Sequence, residues 1–163
     1  MKVERKKTML VKTKHFGDIN LDENKIIQFE NGILGFEDLK KYTILYDNKD
    51  GKRSEISWLQ SLDEPSLAIP VMNPFLLKED YNPEVEDELL KPLGEMTPDD
   101  IVVLVSITVP VDITKMSANL KAPFVINAET KKGAQIIVEN QEYEVKYYFY
   151  DKLQANKEAK EGK

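Results

Sequence analysis

The sequence predicts a mainly β protein: a small antiparallel β-barrel-like single domain with one or two short helices. Apolar residues recur with period two in several short runs, and these runs are rich in β-branched and aromatic residues and bounded by Gly, Pro, Asn or Asp. Helical signal is thin by comparison. With 163 residues, 41% of them apolar, the chain makes one domain. At that length roughly 70% of the unfolded surface can be buried, so folding needs neither a metal nor a disulfide. A closed or nearly closed barrel is favoured over a sandwich because closure removes edge strands, although the pattern by itself leaves the sandwich open.

The elements follow in order. Residues 1–8 are expected to be a flexible basic extension, residues 9–151 the barrel domain, and residues 152–163 a flexible tail of charged residues with little to bury. Ile27 and Phe29 alternate with Ile26, Gln28 and Glu30, and Tyr42 to Tyr46, Ile56 to Leu59 and Leu67 to Val71 continue as short strands. A second helical turn is placed at Glu37 to Lys41. Asn82 reads as an N-cap with Pro83 at the first helical position, acids follow in the first turn, and Pro92-Leu93-Gly94 stops the helix of Glu84 to Leu90. Ile101 to Val109 is almost unbroken in β-branched residues, which predicts a central strand with both faces covered, ended by Pro110. Gln135 to Val138 and Tyr143 to Tyr150 read as a hairpin joined across Glu139 to Glu142.

The parts of a catalytic site are missing. There is no Cys, and His15, the one histidine, stands beside Phe16 without a ligand partner, which reads as a surface or hydrogen-bonded residue. No nucleophile elbow, phosphate loop or dinucleotide fingerprint occurs. The adjacent acids Asp63-Glu64 and Asp99-Asp100 read as turn and cap residues rather than an acid/base pair. An enzyme, a cofactor and a metal are therefore not expected. Gly32 to Phe36 lacks the Lys-Ser/Thr pair of a phosphate cradle and reads as a tight turn, with Ile33, Leu34 and Phe36 covering the barrel end. Trp58, Tyr143, Tyr147, Tyr148, Phe149 and Tyr150 offer either core or a platform for stacking single-stranded RNA.

Charge narrows the partners. The formal net charge is −6 and the pI about 5.0, against the Lys/Arg surplus that phosphate binding demands. From Lys2 to Lys14 there are six bases and one acid, whereas Glu79 to Asp100 holds nine acids against Lys91 alone. Such a run reads either as a solvated face or, through Glu84, Glu86, Asp87 and Glu88, as a surface that steers a basic partner. Met9-Leu10-Val11 is too short for a signal peptide, and no apolar run is long enough to span a bilayer, so a soluble protein retained in the cell is expected. Two segments remain that mix polar, proline and large apolar residues: Val71 to Phe75 and Asn119 to Asn127. They read as strand exits or as a rim where a partner docks, built from Asn73, Phe75, Asn119, Lys121 and Pro123.

These residues resemble the flagellar assembly factor FliW family. The resemblance runs through His15-Phe16-Gly17 with Ile19, Ile27-Gln28-Phe29 leading into Gly32 to Glu37, Trp58 to Ser61, Pro65 with Leu67-Ala68, and Asn73-Pro74-Phe75. It continues through Tyr81, Val103 to Pro110, Asn119 to Pro123 with Val125 to Asn127, and Lys132-Gly133 with Gln135 to Asn140. The chain departs from the family in its basic extension, its Lys/Glu tail, and Leu34 where the family turn is expected to carry proline. The resemblance implies a non-enzymatic cytoplasmic protein, monomeric when free, that binds flagellin before export. It also implies an antagonist of the translational regulator CsrA, which touches neither RNA nor membrane itself. The alternative from a different class is a small β-barrel that binds single-stranded RNA or a small ligand directly.

Overall fold

The period-two runs close into a ring. The computed structural model describes residues 7–49 and 52–152. A hairpin of β1 (Thr8–Lys12) and β2 (Asp18–Asp22) comes first, followed by β3 (Ile27–Phe29), β4 (Lys41–Lys49), β5 (Lys52–Ser61) and β6 (Ala68–Met72). After one short helix, α1 (Asp87–Leu90), come β7 (Ile101–Thr108), β8 (Ser117–Ala118), β9 (Phe124–Asn127), β10 (Lys132–Gln135) and β11 (Tyr147–Tyr148). Strands β3 to β7 pair in sequence, β7 also pairs with β9, and β9 pairs with β10, which returns to β3 and closes a seven-stranded barrel. The β3–β10 pairing is parallel, so the barrel is mixed where an antiparallel one is expected. Thr8 already pairs with Asp22, while residues 1–6 of the expected extension and 153–163 of the expected tail lie outside the described residues.

Alternation along each strand sorts the core into an interior and an outer layer. Phe29, Tyr42, Leu59, Val71, Phe124 and Ile126 fill the interior. Phe29 meets Tyr42 and Phe124 edge-on, with ring centroids 5.3 and 6.1 Å apart. Glycine at 133 makes room for this, because a Cβ there would lie 2.8 Å from Phe29 Cζ. The opposite faces are sheathed in three places. The β1–β2 hairpin buries Val11 and Leu21, and its Lys14 amide donates to Oε1 of buried Gln60 on β5. Residues 77–81, 116–122 and 138–149 cover Met72, Val105 and Ile107. Val85, Leu90, Leu93 and Met96 cover Val125 and Ala134.

Strand β7 is central, as its composition predicts: Val102 and Leu104 pack with the interior, and Val103, Val105 and Ile107 with the outer layer. Its first residue, Ile101, is exposed. Three expectations fail. The hairpin of 135–138 with 143–150 does not form, because the Ile136 and Val138 amides donate to the carbonyls of Pro123 and Lys121, while β11 pairs with β8. The helix is shorter than Glu84 to Leu90: Asn82 does not cap it, since the Asn82 amide donates to the Tyr143 hydroxyl and the Glu84 amide to Asn140 Oδ1. Glu37 to Lys41 makes a turn at 37–38 and then enters β4, because Lys41 pairs with Gln28.

One interior group is unsatisfied. Tyr42 is fully buried and its hydroxyl has no hydrogen-bond partner among the described residues. Burial, then the Asp63 carboxylate, pushes its pKa up to about 12. Tyr42→Phe should therefore leave stability unchanged or raise it by up to about 1 kcal/mol at pH 7. A folded pKa above the unfolded one of about 10 means that the unfolded chain loses its proton first, so stability falls as pH rises from 10 through 12. The Phe variant should lose that part of the alkaline slope in denaturant titrations, and a clear loss of stability at pH 7 would contradict this reading.

Candidate functional site

Two polar and proline-bearing segments come together on the outer layer. Asn73 ends β6, and its side-chain oxygen accepts the Phe75 amide at 3.0 Å, which caps a single 3-10 turn of Pro74–Leu76. Pro74 is buried under that turn, and its carbonyl accepts the amides of Leu77 and Lys78. The turn is thereby held from both ends. It presents Phe75 and Leu76 outward, each 45% exposed. Two large apolar side chains on a fixed backbone lose little further freedom when a partner covers them.

The second segment supports the first. The Asn119 side-chain oxygen accepts the amides of Lys121 and Ala122, both at 3.1 Å, so the Asn closes a turn. Lys121 is half-buried and its Nζ donates to the Asn140 carbonyl at 2.7 Å. Pro123 is buried, and its carbonyl accepts the Ile136 amide. Tyr81 joins the segments: its ring centroid lies 6.0 Å from that of Phe75, and its hydroxyl donates to the Leu120 carbonyl at 2.7 Å. Burial, then the nearby Tyr143, raises the Tyr81 pKa, so this donor stays protonated. Of the five predicted rim residues, Asn73 and Phe75 stand at the surface, Asn119 and Lys121 are half-buried beside them, and Pro123 lies beneath.

The acidic stretch is anchored rather than loose. Asn140, itself buried, accepts the Glu84 amide at 2.6 Å through Oδ1 and donates through Nδ2 to the Asn82 carbonyl. Fully buried Asn127 donates to the carbonyls of Leu93 and Glu95 and accepts the amides of Glu129 and Thr130. Between these two clamps Glu84, Glu86, Asp87 and Glu88 are all exposed. These four acids fall within five consecutive residues, so they form an anionic face.

The remaining candidates are structural. The ring of exposed His15 lies against Trp58 with centroids 4.1 Å apart, which fastens the hairpin tip to β5. Gly32 has φ +65°, and a Cβ there would lie 2.4 Å from the Glu37 carbonyl oxygen, so the tight turn requires glycine. Of the three apolar side chains of that turn only Ile33 is buried. Leu34 and Phe36 are 53% and 41% exposed rather than covering the barrel end, and the Leu34 amide donates to Gln135 Oε1 at 2.8 Å, a bond that proline could not make. Tyr143 and Phe149 are core, while Tyr148 is exposed. Among the described residues no group of three His, Asp or Glu could hold a metal ion, and no helix is long and apolar enough to cross a membrane. Sequence reading gave no role of their own to Leu76, Asn127 and Asn140. Asn127 directly follows an apolar run and Asn140 follows one after Glu139, which is the only hint at the last two.

Comparison with known proteins finds one family. The FliW protein family matches residues 9–149. A flagellar assembly factor FliW of Lachnoclostridium phytofermentans is 53% identical over 94% of this chain and 99% of its own. One of Lachnospira eligens is 54% identical over 89% of this chain and 97% of its own. A crystal structure of the flagellar assembly factor FliW superposes with a TM-score of 0.78 at 31% identity, covering 87% of this chain and 97% of that one.

Proposed function

The chain belongs to the FliW family of flagellar assembly factors, non-enzymatic proteins, and from that premise we propose that it is a partner switch in the cytoplasm that binds either flagellin or the translational regulator CsrA. When free flagellin is scarce the protein sequesters CsrA and relieves flagellin translation; when flagellin accumulates it occupies the protein and CsrA is released. The observation that carries this reading is the preorganised turn displaying Phe75 and Leu76. If both partners cover that turn and the Asn119 to Pro123 segment behind it, each lowers the other's apparent affinity by mass action. Separate surfaces would instead need a coupling free energy of about 1–3 kcal/mol.

A pull-down from lysate beside a gel shift with generic single-stranded RNA separates this reading from direct RNA binding. Flagellin or CsrA captured without a shift supports the switch; a shift with neither protein captured overturns it. The anionic face adds a kinetic expectation. Glu84, Glu86, Asp87 and Glu88 should raise the rate of CsrA association, so raising salt from about 50 to about 500 mM should slow it on the order of tenfold with a smaller change in dissociation. A stopped-flow rate indifferent to salt removes the steering role.

A further inference from the structure

Beside α1, next to the anionic face, lies a notch. Its lining mixes the apolar Leu89, Pro92, Leu93 and Ala134 with the polar Asn31 and Gln135. Its volume is about 60 Å³. A dry cavity of about 150 Å³ accommodates a benzene ring, so this smaller notch matches the end of a branched aliphatic side chain better than an aromatic ring. The notch is preformed, because the Leu93 carbonyl accepts from both Asn127 Nδ2 and Thr130 Oγ1 at 2.8 Å. Lys132, which also lines it, holds its Nζ 3.7 Å from a Glu30 carboxylate oxygen. Leu89 is 45% exposed and adjoins exposed Asp87 and Glu88 in the same short helix.

We propose that this notch is the anchor point for a cationic peptide segment, taking one leucine- or isoleucine-like side chain while the flanking carboxylates meet its basic residues. Complementary charge selects the segment, and the notch sets its register, because only one position along the segment can be aliphatic and seated. The inference deepens the proposed function by giving the basic partner a specific contact, and it rests on that reading for the partner's identity.

Fluorescence anisotropy with three labelled twelve-residue lysine-rich peptides of equal charge tests it, each peptide carrying one central Leu, Phe or Ala. The Leu peptide should bind the full chain about tenfold more tightly than the Ala peptide, as expected for burying two or three aliphatic carbons, and the Phe peptide should bind no better than Ala. Leu89→Ser should bring the Leu peptide down to the Ala level while the unfolding midpoint stays put. Equal binding of the three peptides, preference for Phe, no binding, or an undiminished Leu peptide with Leu89→Ser would each overturn the notch. CsrA binding by the unmutated chain, measured in the same assay, reports on the partner reading separately: a chain that takes the Leu peptide and ignores CsrA keeps the notch and loses that partner.

Discussion

Asn127→Ala is expected to lower the unfolding free energy by about 2 kcal/mol. The side chain is fully buried and all four of its hydrogen-bonding positions are used. Alanine leaves the Glu95 carbonyl and the Glu129 and Thr130 amides without that partner, on exposed residues where water replaces part of what is lost, whereas the Leu93 carbonyl keeps the Thr130 hydroxyl. The loss is also local. The cover over Val125 and Ala134 hangs on this residue, so amide exchange around 93–96 should accelerate more than exchange in β4 and β5. Urea titration gives the size of the effect. A loss below about 1 kcal/mol would mean that the Leu90 to Met96 cover holds by its apolar contacts alone.

Phe75→Ala is expected to weaken flagellin and CsrA binding roughly thirtyfold or more while changing stability by less than about 1 kcal/mol. Phe75 stands half out of the surface with its ring edge-on to Tyr81, so truncation removes presented area and little core. The backbone that presents it is held by Asn73 and Pro74, which the substitution leaves in place. Isothermal titration with each partner, beside a thermal melt, separates the two effects. Lys121→Ala is the less clean variant, because Lys121 Nζ also holds the Asn140 carbonyl and its loss loosens the clamp on the acidic stretch. Unchanged affinity for both partners with Phe75→Ala would move the docking surface away from this turn.

How much of this was legible beforehand depended on how local each cause is. Strands β3 to β6 follow from period-two burial, and the interior of the barrel takes the residues the pattern points inward, as at Ile27 and Phe29 around exposed Gln28. The end of the chain was misread because its pairings are remote. Ile136 and Val138 look like a strand awaiting a hairpin partner, but their amides go back to Pro123 and Lys121, and Tyr147 and Tyr148 go to β8. The acidic run was plain in the composition, whereas its anchoring was not. Asn127 and Asn140 look like ordinary strand exits until the segment they clamp, more than thirty residues away, is folded over them. Of the rim, Asn73 is taken up in capping the turn that carries Phe75, and Asn119 and Lys121 in holding neighbouring backbone, bonds that the strand-exit and rim readings did not contain.

Competition between the partners bears most directly on the switch. CsrA is bound to the full chain, flagellin is titrated in, and the CsrA remaining bound is measured by size-exclusion chromatography with light scattering. The switch predicts that flagellin displaces CsrA in proportion to its own binding, with no species containing all three proteins, and that the Phe75→Ala chain fails to make the exchange. A stable complex of all three, with CsrA affinity unaltered by flagellin, would contradict it.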